Sequence, residues 1–210
     1  YIAMRSDSIL EKEDDDISGQ MKRILIDEGV KFLGEAQVSR FIKDGSHIIA
    51  QYSKNGLANE LVTNVVLIAA GRRPNIPGLN LENAGVEYIK AGINVNDELK
   101  TTADNIYACG DVTGKYQFTH AAAYYAEAAV NNILSKEKIN ISKIIMPWVT
   151  YTDPEIAHVG MTEKEAREKF ADINVLSVDS TLDRFKTENA TKGFLKIILD
   201  KNDAILGAHA

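Results

Sequence analysis

Residues 105–111, NIYACGD, decide the fold that we expect for this chain. The apolar residues predict a short strand with Gly110 and Asp111 at its carboxyl end. Glycine lets the backbone approach a ligand closely, and a carboxylate at the carboxyl edge of an α/β sheet can accept hydrogen bonds from ligand hydroxyl groups. We therefore interpret this pair as a candidate cofactor-binding turn. The alternative is an ordinary turn in which Asp111 only caps local backbone.

A helix is predicted directly after this turn, over residues 119–134. Six of its residues are alanine, so the helix can lie very close to another surface. Its amino-terminal N–H groups would favour an anion or a developing negative charge. Turn, carboxylate and helix N-terminus together suit a polyhydroxyl, redox-active cofactor.

The sequence before this turn predicts an α/β block. Asp14, Asp15 and Asp16 precede a helical apolar pattern that ends at Gly29, and acidic residues suit the positive end of the helix dipole. Strands are predicted over residues 30–33, 36–42, 47–52 and 60–63, with Asp-Gly and Asn-Gly turns among them. Residues 65–70, VVLIAA, predict a strand buried on both faces of a parallel sheet.

The sequence after residue 146 predicts an α+β block. Thr162 to Glu165 form a capping-box pattern that opens a helix. Strands are predicted at residues 148–151, 174–179, 194–199 and 204–208. The last two strands would be exposed edges unless another chain covered them, which favours a dimer.

Composition excludes several classes of protein. The 210 residues carry a net charge of −6 with both signs well mixed, and 45% are apolar. This balance argues against nucleic acid or a membrane as the partner, and the longest apolar runs are too short to cross a bilayer. We expect a cytoplasmic protein.

Cysteine and histidine give little sign of redox or metal chemistry in this sequence. Cys109 is the single cysteine, and we expect a small buried side chain without a disulfide partner. His47, His158 and His209 are scattered without metal-ligand spacing. We predict no metal site and no catalytic side chain within the chain.

Several further motifs follow one another in a recognisable order. They are residues 71–75 (GRRPN), 101–111 (TTADNIYACGD), 117–121 (QFTHA), 152–166 (TDPEIAHVGMTEKEA), 193–196 (GFLK) and 205–207 (ILG). In this order the chain resembles the class I pyridine nucleotide-disulfide oxidoreductases, a family of FAD- and NAD(P)H-using enzymes that includes mercuric reductase and dihydrolipoamide dehydrogenase. Mercuric reductase is the better match of the two, on Met146-Pro147, the Thr152-Asp153-Pro154 triplet and the stretch from Leu182-Asp183-Arg184 through Gly193-Phe194.

The resemblance implies three parts within an α/β fold of partial Rossmann-like domains. Residues 1–72 would be the later part of an NAD(P)H-binding domain, and residues 73–145 the returning segment of a split FAD domain. Residues 146–210 would begin an α+β dimerisation domain through which the protein forms a homodimer.

The resemblance also implies cofactor-binding residues. Asp111, after Gly110, would bind the ribityl region of FAD, while Gly71 and Val38 would approach the nicotinamide dinucleotide. Arg5 follows the strand that carries nucleotide specificity and would bind an NADP(H) 2′-phosphate; the alternative is a solvated surface charge. The flavin would contact the backbone around the start of the predicted helix, at Gln117, Phe118, Thr119, His120 and Ala121.

The implied activity is electron transfer from NAD(P)H through FAD to a disulfide or a thiolate-bound metal such as Hg(II). Two alternatives stay open: an NADH oxidase or ferredoxin-type reductase without a redox disulfide, and a non-catalytic nucleotide-binding or dimerisation module. The sequence has no Gly-x-Gly-x-x-Gly and no Cys-x4-Cys, and both ends look cut. We therefore expect an internal fragment that lacks reductase turnover by itself.

Overall fold

Residues 1–179, 187 and 193–210 are described by the computed structural model. The predicted match at Leu182-Asp183-Arg184 lies outside these residues. The strands are β1 (Ile2–Ala3), β2 (Phe32–Leu33), β3 (Ala36–Asp44), β4 (His47–Lys54), β5 (Leu57–Thr63), β6 (Tyr88–Ile89), β7 (Gly92–Ile93), β8 (Trp148–Thr150), β9 (Ile156–Gly160), β10 (Ile173–Asp179), β11 (Phe194–Asp200) and β12 (Ile205–His209). The helices are α1 (Asp15–Asp27), α2 (Thr119–Leu134) and α3 (Glu163–Lys169). This mixture confirms the α/β class.

The chain divides into two compact units. Residues 1–69 and 149–210 form the first unit, and residues 70–148 form the second. The first unit therefore combines two segments that are distant in sequence. The division into three functional parts stays a prediction.

The predicted first helix is confirmed as α1. Asp15 and Asp16 lie in its first turn, where they meet the positive end of the helix dipole. Ile17 and Met21 repeat at the helical period and are buried. The helix ends before Gly29, which has a φ of 91°, a left-handed conformation that glycine adopts without a steric penalty.

The predicted hairpins of the first unit are confirmed. β3, β4 and β5 form an antiparallel meander, and the turn between β4 and β5 has positive φ at both Asn55 and Gly56, as a type I′ turn requires. β1 pairs with β2 in parallel.

The carboxyl-terminal strands form one five-stranded sheet with the order β10-β11-β12-β9-β8. The capping box is confirmed, because the Thr162 hydroxyl accepts from the Glu165 N–H and the Glu165 carboxylate accepts from the Thr162 N–H. The expectation that β11 and β12 would be edges is wrong. Both are interior strands, since β10 and β9 pair with their outer sides.

α1 packs against this sheet through its apolar face. Ile17 and Met21 form a buried cluster with Ile156 of β9, and Phe194 of β11 packs against it. Because β9 and β11 are distant from α1 in sequence, this contact makes the two segments of the unit one core.

A buried ammonium group lies beside the same interface. Lys196 of β11 is 3% exposed, and its Nζ lies 2.7 Å from Glu163, 2.9 Å from Asp16 and 3.2 Å from Asp14. Burial by itself would lower the pKa of Lys196, but hydrogen bonds to Glu163 and Asp16 and the charge of Asp14 outweigh burial and raise it. The lysine is therefore charged and joins α1, the start of α3 and β11.

The second unit is built around α2. Tyr125 and Ala128 on one face of the helix pack against Leu99 and Met146. Asn132 is also fully buried, and its amide donates to the carbonyl oxygens of residues 98 and 139 while its oxygen accepts from the N–H of residue 139. Its polar atoms are therefore satisfied.

Two predicted strands, at residues 65–70 and 105–111, are wrong. Residues 65–70 form no strand, and Leu67 is 88% exposed, because the described residues contain only one parallel pair, β1 with β2, and no ladder adjoins the segment. Residues 105–111 instead fold back on residues 99–101, with Ala108 N–H donating to the Leu99 carbonyl oxygen at 3.1 Å.

The turn after residue 109 is held by close backbone packing. Gly114 has a φ of 69°, and a Cβ placed on it would lie 1.9 Å from the Ala91 carbonyl oxygen. A Cβ on Gly92 would lie 2.5 Å from the Thr113 carbonyl carbon. The β6–β7 hairpin therefore touches the turn backbone to backbone, which only glycine at these positions allows.

The first prediction concerns the Lys196 cluster. Lys196→Met should lower the free energy of unfolding at pH 7 by roughly 3 kcal/mol or more, because Asp14 stays buried without its cation. Hydrogen bonds from Lys196 and Arg167 lower the pKa of Glu163. Ionised Glu163 therefore contributes fully to the free energy of unfolding above the ordinary carboxyl pKa. This contribution is lost as the pH falls through the lowered pKa of Glu163.

Urea unfolding of wild type and variant tests this prediction. The difference between them should shrink below about pH 4, where carboxyl groups become protonated. Lys43→Met, at an exposed position of β3, is the control and should change stability by less than about 0.5 kcal/mol. Equal losses for the two variants would contradict a stabilising role for the buried lysine.

The second prediction concerns Gly114. Gly85 has the same φ of 69°, but a Cβ added to it would have nothing within 4 Å, so Gly85→Ala isolates the conformational cost of about 1–2 kcal/mol. Gly114→Ala should cost about 1–3 kcal/mol more because of the clash with the Ala91 oxygen. Denaturant unfolding measures both variants, and equal costs would rule out the close backbone contact.

Candidate cofactor-binding site

The Gly110-Asp111 pair forms a rigid turn. Gly110 has a φ of 76° and starts a single 3₁₀ turn over Gly110–Thr113. The Thr113 hydroxyl donates to the Gly110 carbonyl oxygen at 2.9 Å, and the Gly114 N–H donates to the Asp111 carbonyl oxygen at 3.0 Å. The backbone is fixed by these bonds, while the Asp111 side chain stays 49% exposed and available to a ligand.

The amino terminus of α2 lies beside this turn. A Cβ on Gly110 would lie 3.3 Å from the Cβ of Ala122, so the small residues allow turn and helix to touch. The first intrahelical bond joins the Ala122 N–H to the Phe118 carbonyl oxygen at 2.9 Å. The N–H groups of residues 119–121 precede this bond and have no intrahelical acceptor.

Arg72, which follows Gly71 in sequence, contacts both Asp111 and the segment that leads into α2. Its guanidinium donates to the Asp111 carboxylate at 3.5 Å and to the Gln117 carbonyl oxygen at 3.4 Å. Its side chain is 67% exposed, so this ion pair contributes little to stability. Gly71 itself has a φ of 102°, and the space that a Cβ would occupy there is open.

Aromatic rings line the backbone segment that leads into α2. Phe118 stacks on Trp148 with ring centroids 6.1 Å apart and on His120 at 5.5 Å. The His120 ring also makes a 2.7 Å hydrogen bond through Nε2 to the carbonyl oxygen of Pro147. These contacts hold the side chains in place and fix the path of the backbone between them.

This arrangement can bind a ligand that combines hydroxyl groups with a negatively charged ring. Asp111 offers a carboxylate acceptor, and the first turn of α2 offers unpaired N–H donors and the positive end of a helix dipole. The structure thus places Gly110 and Asp111 beside the start of α2, and Arg72, which follows Gly71 in sequence, contacts both Asp111 and Gln117.

The two remaining candidate residues belong to the other compact unit. Arg5 is exposed and lies two residues after β1. Val38 of β3 is 37% exposed and adjoins the irregularity in its pairing with β4. Both are accessible at the surface of that unit.

Sequence reasoning missed several residues of the site. Arg72 belongs to the GRRPN motif, but its side-chain contact with Asp111 was not predicted, and neither was the stacking of Trp148 on Phe118. Cys109 is half-buried rather than buried, at the margin of the α2 core. The aromatic residues clustered around the start of α2 in the sequence were the available signal.

The expectation that the histidines are scattered is wrong for two of them. His158 and His209 meet in the first unit, with ring centroids 4.3 Å apart, and Glu13 joins them through a 2.8 Å contact between its Oε2 and the Nδ1 of His158. Strand pairing places the two histidines directly opposite each other on β9 and β12, which their spacing in sequence does not indicate.

Among the described residues, no helix is both long enough and apolar enough to cross a membrane.

Two family models match the chain. The model described as pyridine nucleotide-disulphide oxidoreductase matches residues 1–126, and the model of the dimerisation domain of these enzymes matches residues 146–210. Together they cover most of the chain, in the order that the sequence motifs predicted.

Similar proteins cover nearly all of the chain. A mercuric reductase of Staphylococcus aureus is 34% identical over 99% of the chain and 39% of its own length. The probable pyridine nucleotide-disulfide oxidoreductase RclA of Escherichia coli is 37% identical over 95% of the chain and 45% of its own length. The chain therefore spans less than half the length of these relatives.

A solved structure agrees with the fold. The Cu(II) complex of the HOCl-induced flavoprotein disulfide reductase RclA from Escherichia coli superposes with a TM-score of 0.89 at 33% identity, over 100% of the chain and 47% of the solved chain. Pyridine nucleotide-disulphide oxidoreductases are enzymes that use FAD and NAD(P)H. The first family model matches more than half of the residues of this chain. The chain therefore belongs to the pyridine nucleotide-disulphide oxidoreductase family.

Proposed function

We propose that the chain is part of a longer flavoprotein that passes electrons from NAD(P)H through FAD to a disulfide or a thiolate-bound metal such as Hg(II). Family membership and relatives named mercuric reductase and dihydrolipoyl dehydrogenase support this proposal. The observation that carries it is the rigid Gly110-Asp111 turn, which presents a half-exposed carboxylate beside the N-terminus of α2.

The residues at this turn fit FAD. The Asp111 carboxylate would accept hydrogen bonds from ribityl hydroxyl groups after Arg72 moves away, since their 3.5 Å contact is weak and exposed. Backbone N–H groups of residues 117–121 would face the flavin ring, with Gln117, Phe118, Thr119, His120 and Ala121 held by the aromatic contacts and by α2. When bound, FAD supplies the acceptor for a hydride from the nicotinamide.

Three residues are proposed to bind the nicotinamide dinucleotide. Gly71, with positive φ and no neighbour where a Cβ would stand, would allow close approach of the dinucleotide. Val38 would contact its adenine side, and Arg5 would bind the 2′-phosphate of NADPH. Both side chains have the exposure that ligand binding needs.

The predicted parts of the chain take their roles from this proposal. Residues 1–72 would bind NAD(P)H, residues 73–145 would bind FAD, and residues 146–210 would form a homodimer. A model of the family's dimerisation domain matches the last part, which supports dimerisation in the family. The mixed surface charge and the single cysteine are typical of a cytoplasmic enzyme.

The third prediction concerns Asp111. Asp111→Ala should weaken FAD binding about tenfold to hundredfold, because a charged hydrogen bond of roughly 1.5–3 kcal/mol is lost. FAD is titrated into the flavin-free whole protein while flavin fluorescence is measured. Asp104→Ala is the matched control, since Asp104 is an exposed carboxylate seven residues away that pairs with Lys100.

The result depends on whether Asp111 binds the cofactor or only shapes the turn. A turn residue would lower stability and leave the flavin affinity of the folded variant unchanged. Equal FAD affinity for folded Asp111→Ala and Asp104→Ala would therefore refute the assignment of Asp111 as a flavin ligand.

The fourth prediction concerns Arg5. Arg5→Ala should lower kcat/KM for NADPH more than for NADH, because the guanidinium can bind the 2′-phosphate that only NADPH carries. The ratio of the two kcat/KM values in the whole protein is the measurement, with Arg40→Ala at an exposed position of β3 as control. A ratio that stays at its wild-type value would leave Arg5 as a surface charge.

A further inference from the structure

Glu13, His158 and His209 form a buried cluster in the unit that does not contain Asp111. Their exposed fractions are 7%, 3% and 1%, and one potential ligand atom from each lies within 4.8 Å of the other two. Two imidazoles and a carboxylate are a common ligand set for transition metals. The proposed flavin chemistry uses none of these residues.

Hydrogen bonds to backbone carbonyl groups fix the orientation of both imidazoles. His158 Nε2 lies 3.1 Å from the Gly160 carbonyl oxygen, and His209 Nε2 lies 3.0 Å from the Met161 carbonyl oxygen. A carbonyl oxygen only accepts, so each Nε2 carries the proton. In a neutral imidazole the lone pair is then on Nδ1. Such anchoring of the second nitrogen is typical of histidines that bind metal.

The Nδ1 atoms lie where a positive centre would stabilise them. His158 Nδ1 is 2.8 Å from Glu13 Oε2, and a lone pair facing a carboxylate at this distance needs a proton or a metal ion between them. His209 Nδ1 is fully buried and has no hydrogen-bond partner among the described residues. A buried acceptor in this state is unfavourable, and a bound cation would satisfy it.

We propose that Glu13, His158 and His209 bind a divalent transition-metal ion such as Zn²⁺ through the carboxylate and the two Nδ1 atoms. In a tetrahedral zinc site neighbouring ligand atoms are about 3.3 Å apart. The contact between Glu13 and His158 would therefore open by a few tenths of an ångström, and ligand atoms that now lie up to 4.8 Å apart would close toward the same spacing.

The surrounding charges are compatible with a cation. Among the described residues, the buried lysine Lys196 is compensated by Asp14, Asp16 and Glu163, so its charge is locally balanced.

The competing arrangement is a protonated His158 paired with Glu13, with a water molecule at His209 Nδ1. This arrangement satisfies the same atoms but has no room for a metal ion. The two differ in one measurable property, which is specific binding of a divalent ion at one site per chain.

Metal titration of the whole, flavin-free protein tests the proposal without substrate. After treatment with a chelator, Zn²⁺ is titrated by calorimetry and Co²⁺ by visible absorption. We expect one ion per chain, a Co²⁺ d–d band from nitrogen and oxygen ligands, and a higher melting temperature with Zn²⁺, because an ion that binds only the folded state stabilises it.

Variants show whether the ion binds at this cluster. Glu13→Gln and His209→Asn should weaken Zn²⁺ binding by at least about tenfold to hundredfold, while His47→Gln, at an exposed position of β4, should bind as wild type does. Circular dichroism confirms that each variant is folded. A folded wild type without a Co²⁺ band, or folded Glu13→Gln and His209→Asn variants with wild-type Zn²⁺ affinity, would overturn the proposal.

Discussion

Burial of one charged side chain constrains the whole first unit. An ammonium group can be removed from water only if carboxylates surround it, and Lys196 is 3% exposed. Its partners come from the start of α1 and the start of α3, about 180 and 33 residues away in sequence. The strand β11, both helix starts and the apolar contact of Ile17 with Ile156 must therefore form together. Removal of either segment would leave Lys196 or its carboxylate partners exposed to water or without an oppositely charged neighbour.

The second unit depends on a different constraint, which is the close approach of backbones. Gly92 and Gly114 let the β6–β7 hairpin touch the turn after Gly110, and Gly110 touches the first turn of α2. No flexible side chains separate these elements, so the position of the Asp111 backbone follows from backbone packing. Such rigidity favours ligand binding, because the acceptor loses little conformational freedom when a ligand arrives.

Local patterns predicted what local forces determine. The period of Ile17 and Met21, the capping box at Thr162 and the turn at Asn55-Gly56 each depend on neighbours within a few residues, and each was found. Wrong predictions came where a partner strand was assumed. The apolar run around Leu67 is typical of a central parallel strand, but burial of such a strand depends on ladders on both sides, and no pattern within the run encodes their presence.

The acidic run before α1 shows why the long-range contacts could not be predicted. The helix dipole explains the acidic residues at this position completely, so nothing in the sequence calls for a second reason. In the structure the same run supplies Asp14 and Asp16 to Lys196 and Glu13 to His158, across 145 residues or more. A residue that satisfies a local rule gives no signal of a distant partner. The histidines were hidden in the same way, because pairing of β9 with β12, rather than spacing in sequence, places them side by side.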